Sequence, residues 1–456
     1  MTRVLIPTGA LGLGYDKSAL AHGVANGPDI IAVDGGSTDS GPSYLGRGVS
    51  KYSRASTKAE WRGLMLARAQ AGVPLVIGTA GTCGADSAVA WFLEITRELA
   101  AELGQSLRVT TLLSGQPAAR VRAALDAGRI HALAPATVLT DDLIDGCSNI
   151  VALAGAEQIA AALATGADIV IAGRTTDTAI IAAWPLLRGD NPGAAWHGAK
   201  IGECGAIATT HPASGVIQID FDATGFIIEP MAMQAAATPY TVSAHMLYEN
   251  ADPFILHEPG GYLDVTDARY VALDPRRVRV EGSKWVPGRY TVKLEGARVA
   301  GYQAVGLALL RDRRYVVRAR EWADDVTNRV QAQIAERMGL GVQDFTVELR
   351  LIGVDATLGA LENRRDLPVE VGVLGIVTCP TEAQAAEAGK MLNPFLLHHA
   401  LTEDEPMPTF AFPFSPAEMQ RGALYEFCLN HVMELDDPMS AFTITVHELG
   451  HELGHG

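Results

Sequence analysis

What the chain lacks narrows it first. Its five cysteines, Cys83, Cys147, Cys204, Cys379 and Cys428, are odd in number, widely spaced and without a C-x-x-C pair. Neither a disulfide framework nor a thiolate zinc site is implied, and a reducing compartment fits. Lysine and arginine total 36 against 52 acids, a formal charge of -16, with no basic block. Phosphate contacts need clustered cations, so no nucleic-acid partner is expected. No apolar run reaches membrane-spanning length, and Pro7 interrupts the N-terminal stretch before a signal-peptide core forms. The expectation is a cytoplasmic protein without a membrane partner, whose acidity serves solubility.

What is present is an ordinary globular composition, 48% hydrophobic and 19% charged, over 456 residues. That length exceeds one ordinary core, so two domains are expected. In the first half, short apolar runs at 4–6, 30–33, 75–77, 109–113, 137–139 and 169–172 read as strands. Helical patterns at 58–71, 85–103, 117–127 and 157–165 lie between them. Repeated strand and helix predict an α/β fold whose first domain is a parallel, doubly wound, Rossmann-like sheet. From about Trp196 the pattern turns to Gly, Pro and β-branched residues, with strands near 216–220, 289–294, 345–354 and 369–378 and helices at 321–338 and 382–392. That predicts a smaller α+β domain. The expected division is 1–195, 196–446 and a 447–456 tail, with the boundary at the Gly- and Pro-rich stretch 188–193.

Ligands of doubly wound sheets bind beyond the carboxyl ends of the strands. Five of the six expected strand ends carry small or hydroxyl residues: 8–14, 34–41, 78–86, 114–117 and 173–178. One crevice gathering all five is expected. Asp34, Ser37, Thr38 and Ser40 follow the second strand between glycines, where hydroxyls donate to an oxyanion and a carboxylate takes a proton. Thr79, Gly81 and Thr82 run into a helix start, the makings of an anion cradle for a carboxylate or a CoA phosphate. No Lys follows as in a P-loop. Cys83 reads either as a nucleophile activated by that helix start or as a small buried hydrophobe.

Arg174 is the one cation within these loops apart from Lys17 at the edge of the first. It reads either as a bidentate holder of an anionic substrate, with Thr175 beside it, or as an internal ion pair with Asp177 or Asp34. Asp39 and Asp177 are candidates for paired acid and base work. The order Gly9-x-x-Gly12-x-Gly14 is not the G-x-G-x-x-G of a dinucleotide fold, so no cofactor is assigned on it. The tail repeats H-E-x-x-H from His447, but two glycines break the helix that zinc ligands need, and 442–446 reads as a strand. No metal is assigned.

The segment Ala167-Asp168-Ile169-Val170-Ile171-Ala172-Gly173-Arg174-Thr175-Thr176-Asp177-Thr178-Ala179, the turn Gly202-Glu203-Cys204-Gly205-Ala206 and the stretch Leu247-Tyr248-Glu249-Asn250-Ala251-Asp252-Pro253 together resemble the acyclic terpene utilisation protein A family. The resemblance implies a catabolic enzyme acting on a carboxylate or acyl-CoA. On it Glu203 joins the catalytic candidates and Cys204 the binding ones.

The combined expectation is an enzyme acting on a small carboxylic acid or its CoA thioester by proton transfer and addition or elimination, as a hydratase, lyase or isomerase. CoA enters only as part of the substrate. Arg174 and the 79–84 loop would hold the anion, Ser37 and Thr38 a substrate oxygen, and Asp39, Asp177 or Glu203 would move the proton. Two alternatives stand: a hydrolase using Cys83 or a bound metal, and a non-catalytic ligand-binding subunit of a larger catabolic enzyme. A homo-oligomer is expected.

Overall fold

In a computed structural model, which describes residues 1–450, four short segments are almost wholly buried: Thr2–Ile6, Ile30–Asp34, Leu75–Gly78 and Ile169–Ala172. Near-continuous apolar runs of this kind are what a sheet covered on both faces requires. Together with Leu107–Leu113 they pair in parallel, in the order 2–6, 30–34, 75–78, 169–172, 107–113. Helices cover both faces. Trp61, Leu64 and Met65 of Arg54–Ala71 and Phe92, Ile95 and Leu99 of Asp86–Leu103 pack on one side. Ile159 of Ala156–Leu163, Ile181 of Ala179–Leu187 and Trp196 of Pro192–Gly202 pack on the other.

The sheet is mixed rather than wholly parallel. Ile217–Phe221 joins the first strand antiparallel, with Val4 opposite Ile219, and three further strands extend that side. At the opposite edge Thr443–Leu449 pairs antiparallel with Leu107–Leu113, making ten strands. Strands that return from far along the chain leave no local signal of the neighbour they will take. The run 137–139 forms no strand: Val138 is 86% exposed, so it lies on the surface. Cys147–Ala152 is the strand formed instead, pairing with Leu294 to Arg298 of the long strand Thr291–Leu310.

The chain forms two compact units, residues 1–298 with 427–456, and residues 299–426. The stretch 188–193, where a boundary was expected, falls inside the first unit, between two helices of the same sheet face. The second unit, far shorter than the expected 196–446, combines strands with helices. Thr346–Ile352 and Val371–Cys379 pair antiparallel, and the helices Ala319–Met338 and Glu382–His398 contribute Trp322, Val326 and Leu396 to its core.

Candidate active site

Every strand of the parallel set ends in a loop on the same edge, and two tight approaches fix how those loops meet. A Cβ at Gly35 would stand 2.5 Å from the Thr79 carbonyl oxygen, and one at Gly9 would stand 3.0 Å from that of Glu203. Only glycine lets these backbones touch. Thr79 and Thr82 hold φ of +47° and +70°, a left-handed conformation that costs about 1–3 kcal/mol each and persists where neighbours enforce it.

Beyond the strand ends lies a cavity of about 470 Å³, entirely within the first unit. Four of the five expected loops wall it, through Thr8, Gly9 and Leu13, then Asp34, Ser37, Asp39 and Ser40, then Thr82, and then Asp177. The fifth, 114–117, turns away: Gly115 and Gln116 bond to Asp86 and to the 147–152 strand. The remaining wall comes from Lys51, Tyr52, Cys204, Ile207, Pro212, Tyr248 and Glu249.

Arg174 is not among the residues that wall the cavity. The residue is 6% exposed and its guanidinium is committed elsewhere. Nε and Nη2 donate to Glu295 at 3.0 and 3.3 Å, and Nη1 donates to Thr79 Oγ1 at 3.2 Å, to the Thr175 carbonyl at 3.0 Å and to Asp177 at 3.5 Å. The internal ion pair is therefore the arrangement found, with Glu295 as principal partner rather than Asp177 or Asp34. Thr38 donates to the same carboxylate at 3.0 Å. Thr79 and Thr175 are wholly buried around the guanidinium, so they buttress the wall instead of forming it. Among the described residues Lys51 is the one cation in the wall, its Nζ 2.6 Å from Ser40 Oγ and 5.3 Å from the centre of the Tyr52 ring.

The 79–84 loop is not an open anion cradle. The amides of Thr79, Ala80, Thr82 and Gly84 already donate to Gly173, Ala172, Thr79 and Ala80. Gly81 packs toward Ala88 and Ser50. Cys83 is fully buried with Leu45, Ala85 and Ala88, and burial pushes its thiol up, outweighing the lowering expected from the helix start. The first loop likewise offers no free helix start, since Asp16 accepts from the amides of Ser18 and Ala19.

The acids separate by environment. Burial, reinforced by the neighbouring charge of Asp177, holds Asp34 well above the usual carboxylate range; the Gly36 amide at 3.0 Å and Arg174 pull against it. Asp177 is also raised, first by burial, with Arg174 opposing and Asp39 adding. Glu295 goes the other way: burial works to raise it, but the charge and hydrogen bonds of Arg174 win. Below them lies a second buried group. Glu203 is pushed up to about 8 by burial against the pull of Lys200, which donates to it. Glu258, bonded to Thr178, is pushed up to about 7 by burial. Cys204, in the wall beside them, is pushed up to about 12 by burial and by Glu203.

Lys51, Tyr52, Glu295 and Lys200 escaped the reading of the sequence, and Tyr248 and Glu249 entered it only within the stretch that carries the family resemblance. Glu295 left no signal there, because it lies in a run buried continuously from Leu294 to Ala297 rather than in an alternating one. At the C-terminus His447 sits on a strand, its Nε2 3.0 Å from Thr111 Oγ1, while Glu448 pairs with Arg108 at 2.7 Å. The expected tail thus begins inside the sheet, and residues 451–456 lie outside the described ones. Among the described residues no three of His, Cys, Asp and Glu are grouped to hold a metal, and no helix is long and apolar enough to cross a membrane.

No curated protein and no solved structure matches the chain. The model of the acyclic terpene utilisation family protein AtuA matches residues 64–404, which takes in the Thr82, Asp177 and Cys204 walls and begins after the loop that carries Asp34. With most of its length matched, the chain belongs to the acyclic terpene utilisation family AtuA.

Proposed function

We propose that this cavity is the active site of a catabolic enzyme that moves a proton on a small carboxylic acid or its acyl thioester, adding or eliminating a group beside the carbonyl. Hydratase, lyase and isomerase chemistry all share that step. The observation that carries it is the pair Asp34 and Asp177, two carboxyl groups on one cavity wall that burial keeps toward the protonated form. A carboxyl group protonated near neutral pH is a general acid, and neighbouring acids in different environments divide acid from base roles.

In this reading Asp34 gives the proton and Asp39, further out on the same wall, accepts one. Ser37 and Thr82 lie along the wall to hydrogen-bond a substrate oxygen. Lys51 takes the anion-holding role that Arg174 is too buried and too well paired to fill. Arg174 and Glu295 position Asp177. Family membership in acyclic terpene utilisation supports a catabolic setting, with an acyl-CoA as one form of the substrate.

The test is a thermal-shift screen of the full chain against short carboxylic acids, hydroxy acids and acyl-CoA thioesters, repeated with Lys51→Ala. A ligand at a hundredfold excess over Kd stabilises by roughly 2.7 kcal/mol. The proposal expects a shift with an acid or thioester that shrinks in Lys51→Ala, and none with the free amine or the neutral amide of the same skeleton, which are screened alongside. A screen in which only cationic or neutral ligands bind would overturn it.

A further inference from the structure

Cys147 and Cys428 are 281 positions apart in the sequence, yet their Sγ atoms stand 3.0 Å from each other. Two thiols at rest do not approach so closely; the separation lies inside sulfur contact distance and above the ~2.05 Å of a covalent S–S bond. The neighbourhood explains how they meet. Cys147 opens the strand Cys147–Ala152, which pairs with the 294–298 part of Thr291–Leu310, and the register slips there between Ala297 and Arg298. Gly296 lies beneath the sulfur: a Cβ at that position would stand 3.1 Å from Cys147 Sγ and 2.6 Å from Leu429 Cδ1, the residue after Cys428. A glycine and a strand irregularity together clear the space in which the two sulfurs meet. Both cysteines belong to the first unit.

We propose that Cys147 and Cys428 are a covalent cross-linking site, closing to a disulfide when a peroxide or a small-molecule disulfide supplies the oxidant. With hydrogen peroxide, the two S–H bonds and the O–O bond break, one S–S bond forms, the two sulfurs lose two electrons and two protons, and the peroxide leaves as two waters. The hydrogen bond with the Cys428 thiol, and after it burial, hold Cys147 well above the usual thiol range, so little thiolate is present at neutral pH. Proximity then favours the bond while the protonation state slows its formation. The cross-link would span the strand that carries Glu295, one residue before Gly296, and so tie down the segment that holds Arg174. The fully reduced state expected of a reducing compartment is the other member of the pair.

The experiment uses the full chain, reduced, freed of reductant, then exposed to hydrogen peroxide or oxidised glutathione over a range of pH. Thiols are counted after denaturation, and a digest under non-reducing conditions is mapped by mass spectrometry. The proposal expects the count of five thiols to fall to three, a Cys147–Cys428 peptide pair two hydrogens lighter than its separate parts, and faster closure at higher pH. Cys147→Ser and Cys428→Ser each abolish the pair, whereas Cys379→Ser does not. Should either variant fail to fold, the wild-type peptide map still decides. Five thiols remaining after prolonged oxidation, a different pair, or glutathione added to single cysteines would overturn it.

Discussion

The ion pair of Arg174 with Glu295 gives the sharpest handle on how the site is held. Their side chains are 7% and 8% exposed. Breaking such a pair by removing one member strands the other charge in a poorly polarisable interior, which costs about 3–5 kcal/mol. In Glu295→Leu the guanidinium keeps Thr79 Oγ1, the Thr175 carbonyl and Asp177 at 3.5 Å, so the lower end, about 3 kcal/mol, is expected. In Arg174→Met the carboxylate keeps Thr38 at 3.0 Å and Lys293 at 3.6 Å, and a loss of similar size follows. The double variant removes both charges and should recover about 2 kcal/mol relative to the sum of the single losses. Urea unfolding followed by tryptophan fluorescence reads this out. Five of the six tryptophans, Trp61, Trp91, Trp184, Trp196 and Trp285, lie in the unit that holds the pair. The urea slope grows with the size of the unfolding unit, so a loss of about 3 kcal/mol moves the midpoint by roughly 1 M or somewhat less. Single variants that unfold within about 1 kcal/mol of wild type, or a double variant whose loss equals the sum of the singles, would refute the reasoning.

Three further outcomes follow from neighbouring residues. Glu203 has a folded pKa of about 8, above the 4.5 of a free side chain; the stability it contributes is complete below that lower value and is lost as pH rises through the higher one. Glu203→Gln should therefore flatten the fall in melting temperature between pH 5 and pH 9, and an unchanged profile would count against it. Gly84→Ala places a Cβ 2.2 Å from the Arg174 backbone nitrogen at φ of +62°; a loss of about 3 kcal/mol is expected from overpacking and backbone strain, measured by chemical denaturation. Cys83→Ala should leave turnover within about twofold of wild type, and in the native wild-type chain Cys83 should stay unlabelled by iodoacetamide, since the thiol is buried and its pKa raised.

How much was legible depended on how local the cause was. The four buried strands and the helices between them announce themselves, because burial on both faces forces continuous apolar runs and one-sided burial forces the helical rhythm around Trp61 or Phe92. The loops after the strands were legible for the same reason, and four of them do meet at the cavity. The partner of Arg174 was not. Glu295 sits on a strand 121 positions away, brought in by pairings that no local pattern specifies. Once Glu295 takes the guanidinium, Arg174 leaves the wall and Lys51, an unremarkable residue before a helix, becomes its one cation. The stretches 216–220 and 442–446 read as strands, but their antiparallel places in the first sheet escaped for a like reason, as did the meeting of Cys147 with Cys428. Of the two readings of Cys83 the small buried hydrophobe is the one found; its sequence context, a glycine loop before a helix, left both open because it does not reveal that the side chain faces Leu45 and Ala88.

The central claim is that Asp34 delivers a proton to a substrate in this cavity, and deuterium incorporation tests it most directly. The full chain is incubated in deuterated water with a panel of unsaturated and hydroxylated acyl-CoA thioesters and the free acids, and the carbon beside the carbonyl is followed by mass spectrometry. The account predicts incorporation with at least one member, falling by about 100-fold or more in Asp34→Asn while Cys83→Ala retains it. Incorporation that Asp34→Asn leaves intact would contradict the account.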